Sequence, residues 1–235
     1  MSKKIVVVGM GYVGIPAAAL FADVKGFNVV GIQRRSKRSG WKIDHLNQGK
    51  NPIGGDEPGL SELIEKVVKK GTFRVTGDFS ECNDADVILI DVQTPTDEKG
   101  IPHYESLKEV SKQIGNHIKK GVLVVIESTV APGTTKYIVK PILEKESGMI
   151  AGDDFSLAFS YERVMVGRLI HNITKLPRII GGIDERSTKR AMKIYKNIVD
   201  APLHPTDSIT AEVSKVVENT YRDVNIAFNP CKNIF

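Results

Sequence analysis

Cysteine is scarce in this sequence, and so are long apolar runs. Only two cysteines, Cys82 and Cys231, occur in 235 residues, and neither belongs to a Cys-x-x-Cys pair. The spacing predicts neither a disulfide framework nor a zinc site, and it fits a reducing compartment. No apolar stretch approaches the roughly 18 residues of a membrane span, and the start of the chain leads into a strand-like run rather than a signal-peptide core. We expect a cytoplasmic protein with no membrane segment.

Signals for metal and nucleic-acid binding are also weak. None of the five histidines shows metal-ligand spacing, so no metal site is expected. The net charge is +5, but the lysines are spread through helical segments such as "IEKVVKKG" and "TKRAMKIYKN". Because no aromatic-and-basic module accompanies this charge, a solvated helix face is the simpler interpretation, and no nucleic-acid partner is expected.

What the sequence does contain is an alternation of short β-branched runs with amphipathic segments. The runs include "IVVVG", "NVVGI", "FRVTG", "DVILIDV" and "VLVVIEST". Continuous apolar runs of this length are typical of parallel strands buried on both faces. Their alternation with helical segments predicts an α/β fold, a Rossmann-like, doubly wound, mostly parallel sheet. A long helix follows in "SITAEVSKVVENTYRDVNIAFN", with Asp207 or Ser208 as its cap.

Three glycines follow the first run in a G-x-G-x-x-G pattern. Gly9, Gly11 and Gly14, with Tyr12 and Val13 inside the same turn, lie between a strand and a helix. The first glycine permits the turn, the second lets the backbone approach a pyrophosphate, and the third lets helix pack on strand. The pattern alone is compatible with a structural turn, but at the start of a βαβ unit it predicts a dinucleotide site.

The segment that would contact the adenine ribose lacks the usual acidic residue. About twenty residues after the glycines the sequence reads "GIQRRSKR". Gln33 can hydrogen-bond a ribose without repelling a 2′-phosphate, and Arg34 or Arg35 can attract one. The cofactor expected is therefore NAD, with NADP possible. A solvated basic loop is the alternative interpretation of the arginines.

Four further segments, taken in order with the glycine pattern, resemble one enzyme family over essentially the whole chain. They are "VQTPTDEKG" (92–100), "ESTVAPGTT" (127–135), "YERVMVGR" (161–168) and "EVSKVVENTYRDVNIAFN" (212–229). The family is that of the UDP-glucose/UDP-mannuronic acid dehydrogenases. The last two segments most resemble its UDP-N-acetyl-D-mannosamine branch, with UDP-glucose or UDP-N-acetylglucosamine as alternative substrates. The resemblance implies a two-step, NAD-dependent oxidation of the sugar's C6 alcohol to a carboxylate.

The resemblance also implies roles for particular residues. Thr94, Pro95, Ser128 and Thr129, at the ends of two predicted strands, would contact the cofactor near its nicotinamide half, although turn and cap chemistry also explains them. Glu162 would act as a base through water, although Tyr161 and Val166 stand where relatives commonly have proline. Lys215 and Asn219, four residues apart on one helix face, would stabilise the oxyanion and position water. The substrate contacts expected are Glu162, Arg163, Val164, Lys215, Asn219 and Arg222.

The family's nucleophile, a cysteine in a Gly-His-Cys type loop, is expected beyond the long helix, and no such loop occurs in these residues. Cys231, in "NPCKNIF", lacks the glycines and is not assigned that role. The expected organisation is a dinucleotide-binding domain over 1–205, a connecting and dimerisation helix over 206–229, and a tail over 230–235. We expect this chain to be an N-terminal portion that binds a dinucleotide without completing the oxidation alone. The alternative is a non-catalytic binding or dimerisation module. The full-length form is expected to be a homodimer through the helix.

Overall fold

The computed structural model describes residues 2–228, and they form an eight-stranded sheet with helices on both faces. The strands are β1 (Lys3–Val8), β2 (Phe27–Ile32), β3 (Phe73–Thr76), β4 (Val87–Ile90), β5 (Leu123–Ile126), β6 (Ser156–Phe159), β7 (Arg178–Gly182) and β8 (Leu203–Asp207). Their spatial order is β3-β2-β1-β4-β5-β6-β7-β8. The first six strands in this order are parallel, which confirms the predicted doubly wound sheet.

The helices are α1 (Gly14–Asp23), α2 (Trp41–Asn47), α3 (Leu60–Lys69), α4 (Glu105–Gly115), α5 (Lys140–Ser147), α6 (Leu169–Lys175), α7 (Glu185–Tyr195) and α8 (Ser208–Phe228). A 3₁₀ turn occupies Phe79–Cys82, and a wider π-type turn, Thr135–Val139, leads into α5. Among the described residues, no helix is both long enough and apolar enough to cross a membrane.

The hydrophobic core lies on the two faces of the sheet because β4, β5 and residues 5–8 of β1 are apolar at every position. Alternate residues of β1 point to opposite faces, so that Ile5 and Val7 join one cluster while Val6 and Val8 join the other. The first cluster packs under α1, α3 and α7, and the second under α4 and α5. Continuous burial on both faces explains why these strands lack polar alternation.

Strand β7 departs from the parallel pattern. It pairs antiparallel with β6, with Phe159 opposite Gly181, and β8 then runs parallel to β7. The amino end of β7 therefore lies at the edge of the sheet where β4, β5 and β6 have their carboxyl ends. Arg178, the first residue of β7, is consequently brought to the edge at which open α/β sheets bind their ligands.

Helix α8 begins directly after β8 and runs back across the sheet. Asp207 caps it by accepting a hydrogen bond from the Thr210 backbone N–H at 3.0 Å, which confirms one of the two predicted caps. The first two turns are buried at Ala211, Glu212 and Lys215. Because a helix rises about 1.5 Å per residue, Lys215 lies roughly 10 Å along the axis from Ser208, which returns it toward the ligand-binding edge.

Candidate functional site

Three glycines occupy the turn between β1 and α1, and a different physical reason favours glycine at each position. Gly9 has a φ of +110°, and a Cβ there would lie 2.2 Å from the Asp91 carbonyl oxygen. A Cβ on Gly14 would lie 2.0 Å from the Gly9 carbonyl oxygen. A Cβ on Gly11, by contrast, would meet no atom within 4 Å. Packing thus requires the first and third glycines, whereas the second faces open space where a ligand can approach the backbone.

A cavity of about 750 Å³ lies beside this turn. Its walls are the glycine turn, the segment from Gln33 to Lys42, and one side of α4, including Glu109 and Gln113. The Gln33 side chain joins two of these walls: its Oε1 accepts from the Met10 N–H at 3.1 Å, and its Nε2 donates to Ser39 Oγ at 2.9 Å. The predicted contacts Gly9, Gly11, Gln33, Arg34 and Arg35 therefore all line one cavity, and the residues present fit a dinucleotide.

The predicted contacts after β4 and β5 lie side by side. Thr94 Oγ1 donates to the Thr129 carbonyl at 2.6 Å, and the buried Ser128 Oγ donates to the Val92 carbonyl at 2.7 Å. These bonds tie together the two loops that leave neighbouring strands. Pro95 and Thr129 are exposed at the same edge, while Tyr12 and Val13 lie in the glycine turn with Tyr12 half exposed.

A cluster of buried charged groups lies beneath these loops. Glu127, directly after β5, accepts hydrogen bonds on Oε1 from the Arg178 guanidinium and, at 2.9 Å, from the Tyr195 hydroxyl. Arg178 also donates from Nε to Ser160 Oγ at 2.7 Å and stacks on the Tyr195 ring at 3.9 Å from its centroid. This buried cation balances the Glu127 carboxylate, and burial raises the pKa of Tyr195 well above its ordinary value.

Asp91, directly after β4, adds a second carboxyl group to this cluster. Burial first, and then the neighbouring Glu127, raises the pKa of Asp91 well above its ordinary value. Both Asp91 carboxyl oxygens and Glu127 Oε2 are buried and find no donor among the described residues. One proton explains two of these three atoms, because a neutral Asp91 can donate from one of its oxygens to Glu127 Oε2. Two neighbouring carboxyl groups that are buried away from water do not both ionise, because their negative charges would repel each other without solvation.

The predicted catalytic residues Glu162 and Lys215 are in direct contact. Lys215 Nζ donates to the Glu162 backbone carbonyl at 2.7 Å and lies 3.8 Å from its Oε1. Only 5% of Lys215 is exposed, and burial lowers the pKa of its ammonium group. Glu162 Oε2 accepts from the Val164 backbone N–H, so the carboxylate also shapes its own loop. Glu162 is close enough to contribute to the raised pKa of Asp91, after burial and Glu127.

Arg163, a predicted substrate contact, is engaged in an ion pair within the protein. Its Nε donates to Glu218 at 2.8 Å, and Tyr161 donates from its hydroxyl to the same carboxylate at 2.8 Å. Tyr161 is buried, and Lys215 Nζ lies 5.2 Å from its ring centroid. Asn219 and Arg222 are half-buried on the next turns of α8, on the side that carries Lys215.

Several of these residues were not predicted from the sequence. Asp91, Glu127, Arg178 and Tyr195 were not assigned a site role, although an acidic residue directly after a buried strand run was a usable signal. Glu212 was also missed: it is buried and accepts from the backbone N–H groups of Gly133 and Thr135, at 2.5 and 2.8 Å. Cys82 is buried, and burial raises the pKa of its thiol to about 12, which argues against a nucleophilic role. Cys231 lies outside the described residues.

A glycine turn between the first strand and helix of a doubly wound sheet, opening on a cavity at the strands' carboxyl edge, defines a dinucleotide-binding domain of the Rossmann type. Residues 3–199 match the NAD binding domain of the UDP-glucose/GDP-mannose dehydrogenase family, and the chain belongs to that family. The match assigns NAD as the cofactor and confirms both the family resemblance and the fold.

Individual relatives agree with the family match. The chain is 37% identical to the UDP-N-acetyl-D-mannosamine dehydrogenase of Pyrococcus horikoshii over 224 residues, which is 95% of this chain and 51% of that protein. It is 51% identical to the NDP-N-acetyl-D-galactosaminuronic acid dehydrogenase structure from Methanosarcina mazei Go1, with a TM-score of 0.91 over 96% of this chain and 48% of that one. The GDP-mannose dehydrogenase of Pseudomonas aeruginosa gives 31% identity and a TM-score of 0.87, over 95% of this chain and 51% of that one. The chain thus spans about half the length of the relatives it matches.

Proposed function

We propose that this chain is the NAD-binding portion of an enzyme that oxidises the C6 alcohol of UDP-N-acetyl-D-mannosamine to the carboxylate. The names of the relatives support a nucleotide-linked sugar as the substrate. The balanced reaction is R–CH₂OH + 2 NAD⁺ + H₂O → R–COO⁻ + 2 NADH + 3 H⁺. NAD, when bound, supplies the hydride acceptor of each step.

The contact between Lys215 and Glu162 at the ligand-binding edge of the sheet is the observation that carries this proposal. A buried ammonium group with a lowered pKa beside a carboxylate is an arrangement that is concentrated at functional sites. We assign Lys215 Nζ to hold the developing oxyanion on the sugar C6 and Glu162 to take the proton from water. Asn219 lies one turn further along α8 and is assigned to orient that water.

The remaining predicted contacts complete the proposal. Arg163, through its pair with Glu218, fixes the loop that carries Glu162, and Val164 shapes the same loop through its backbone N–H. Arg222 adds a positive charge that helps to lower the pKa of Lys215, after the larger effect of burial. Such a charge near the site suits an anionic nucleotide sugar.

We also propose that the second half of α8 pairs with a second copy in the whole protein. Its exposed residues include large apolar side chains, Val217, Tyr221, Val224 and Phe228, and Tyr221 is 72% exposed. A stripe of this kind on a 21-residue helix is costly to leave in water. The division into a domain over 1–205 and a helix over 206–229 stays a prediction. The helix itself begins at Ser208.

The test measures NADH formation by this chain alone and after addition of the C-terminal half of a relative. We expect no complete oxidation by the chain alone and, after the addition, two NADH per UDP-N-acetyl-D-mannosamine. Lys215→Ala should then abolish turnover, whereas Lys193→Ala, an exposed lysine on α7, should not. Near full turnover by Lys215→Ala would refute the assigned role.

Other sugars are tested in the same assay. UDP-N-acetylgalactosamine is included because the relative with 51% identity is named an NDP-N-acetyl-D-galactosaminuronic acid dehydrogenase. UDP-glucose and UDP-N-acetylglucosamine are included as further alternatives. Tight NAD binding without turnover on any of them, even after the C-terminal half is added, would favour the non-catalytic module instead.

A further inference from the structure

The end of the cavity beside β2 is lined by several positively charged side chains. Arg34, Arg35 and Arg38 line this end, and Lys42 lies behind them. Within residues 2–228 none of these four side chains forms an ion pair, although lysines and arginines elsewhere pair with carboxylates, as Lys4 does with Glu81 at 2.8 Å. Lys42 is held inward by donating to the Met10 carbonyl at 3.0 Å.

The acidic side chain that would select against a further phosphate is missing here. Gln33 occupies the position after β2, and both ends of its amide are used within the protein, on Met10 and Ser39. A carboxylate in this place would accept from the ribose hydroxyls and repel a 2′-phosphate, whereas a neutral amide carries no charge that repels it. Among the residues lining the cavity, Glu109 contributes the one carboxylate, from α4, and it is bonded to Gln113 at 2.9 Å.

Two hydroxyl groups stand among the arginines. Ser36 Oγ and Ser39 Oγ are 2.9 Å apart, and both line the cavity. Hydroxyls beside guanidinium groups are a favourable setting for a phosphate, because guanidinium forms charge-assisted, bidentate hydrogen bonds to its oxygens. The glycine turn fixes the pyrophosphate at one end of the cavity, which leaves the adenine ribose next to Gln33 and the arginines.

We propose that this end of the cavity is a 2′-phosphate subsite formed by Arg34, Arg35 and the Ser36–Ser39 turn, so that the domain accepts NADP as well as NAD. The inference rests on the proposed dinucleotide-binding function and extends it by naming the cofactor forms. It predicts that a 2′-phosphate strengthens binding rather than weakening it.

The test compares 5′-ADP with 2′,5′-ADP by titration calorimetry on the purified chain. We expect 2′,5′-ADP to bind at least as tightly as 5′-ADP. Arg34→Ala and Arg35→Ala should each weaken 2′,5′-ADP by roughly 10-fold or more and leave 5′-ADP within about twofold, as expected for a lost charge-assisted bond. Gln33→Asp should reverse the preference. Lys37→Ala removes an equal charge from the same loop at a residue that does not line the cavity, and it is the matched control.

Two results would overturn the inference. One is 2′,5′-ADP binding more weakly than 5′-ADP, which would leave the dinucleotide site intact and remove the subsite. The other is an equal loss in Lys37→Ala and the two arginine variants, which would mean general electrostatic attraction. Failure of both nucleotides and of NAD to bind would instead refute the proposed dinucleotide-binding function, and the subsite with it.

Discussion

Replacing Gly11 by alanine separates ligand binding from folding at the glycine turn. A Cβ at this position meets nothing within 4 Å, and Gly11 does not have a positive φ. The free energy of unfolding should therefore change by less than about 1 kcal/mol, with stabilisation as readily as loss. The new methyl group does occupy the space in which a pyrophosphate must approach the backbone N–H groups.

The expected loss of NAD affinity follows from the hydrogen bonds that the methyl group prevents. A hydrogen bond to a charged group contributes about 1.5–3 kcal/mol. Loss of one such bond corresponds to roughly a 10- to 150-fold increase in Kd. Calorimetric titration with NAD measures this increase, and thermal unfolding measures the stability of the same sample. Gly54→Ala, in open space away from the cavity and also without a positive φ, is the matched control for both measurements.

Gly14→Ala, in contrast, should destabilise the fold itself. Its Cβ would lie 2.0 Å from the Gly9 carbonyl oxygen, and because that atom belongs to the backbone, α1 must move away from β1. We expect a cost of at least ~3 kcal/mol. For a domain of this size that corresponds to a Tm lowered by about 6 °C or more. A Gly11→Ala protein with unchanged NAD affinity, or a Gly14→Ala protein with unchanged Tm, would refute the reasoning.

Three further predictions concern buried charge. The folded protein holds a proton on Asp91 above the ordinary carboxyl pKa, so the free energy of unfolding should fall as pH rises from that value toward the raised one; Asp91→Asn should remove this part of the slope in denaturant titrations at a series of pH values. Arg178→Met leaves Glu127 without its cation and should destabilise by about 3–5 kcal/mol, and unchanged urea unfolding would contradict this. Glu212→Ala removes the acceptor of two backbone N–H groups and should cost about 2–3 kcal/mol, with increased hydrogen exchange at those amides as the diagnostic.

The parts of the fold that could be predicted from the sequence are those determined by local pattern. The runs that become β4, β5 and residues 5–8 of β1 are apolar at every position, and such runs are typical of strands buried between two layers of helices. The glycine spacing and the ends of β4 and β5 then predict a dinucleotide site at one edge of the sheet, because the carboxyl ends of parallel strands share an edge.

The direction of β7 and the protonation of Asp91 could not be predicted in this way. A short run such as "RIIGG" indicates a strand but carries no information about its direction, and the direction is what brings Arg178 to the site. The state of Asp91 depends on a carboxylate 36 positions away in the sequence that becomes its neighbour only when β4 pairs with β5. Both features arise from contacts between distant segments.

Because β7 runs antiparallel to β6, the segment between these two strands leaves the sheet and returns to it at the same edge. The chain leaves the sheet at Ser160 and returns at Arg178, and these two residues are joined by a hydrogen bond of 2.7 Å. Since the two ends of this segment are tied to each other, a change in the length of its exposed part need not move either strand. The loop that carries Glu162 and the helix α6 lie within it. We therefore expect changes of length in the part of this segment that lies away from Glu162 to leave the sheet and the dinucleotide cavity in place.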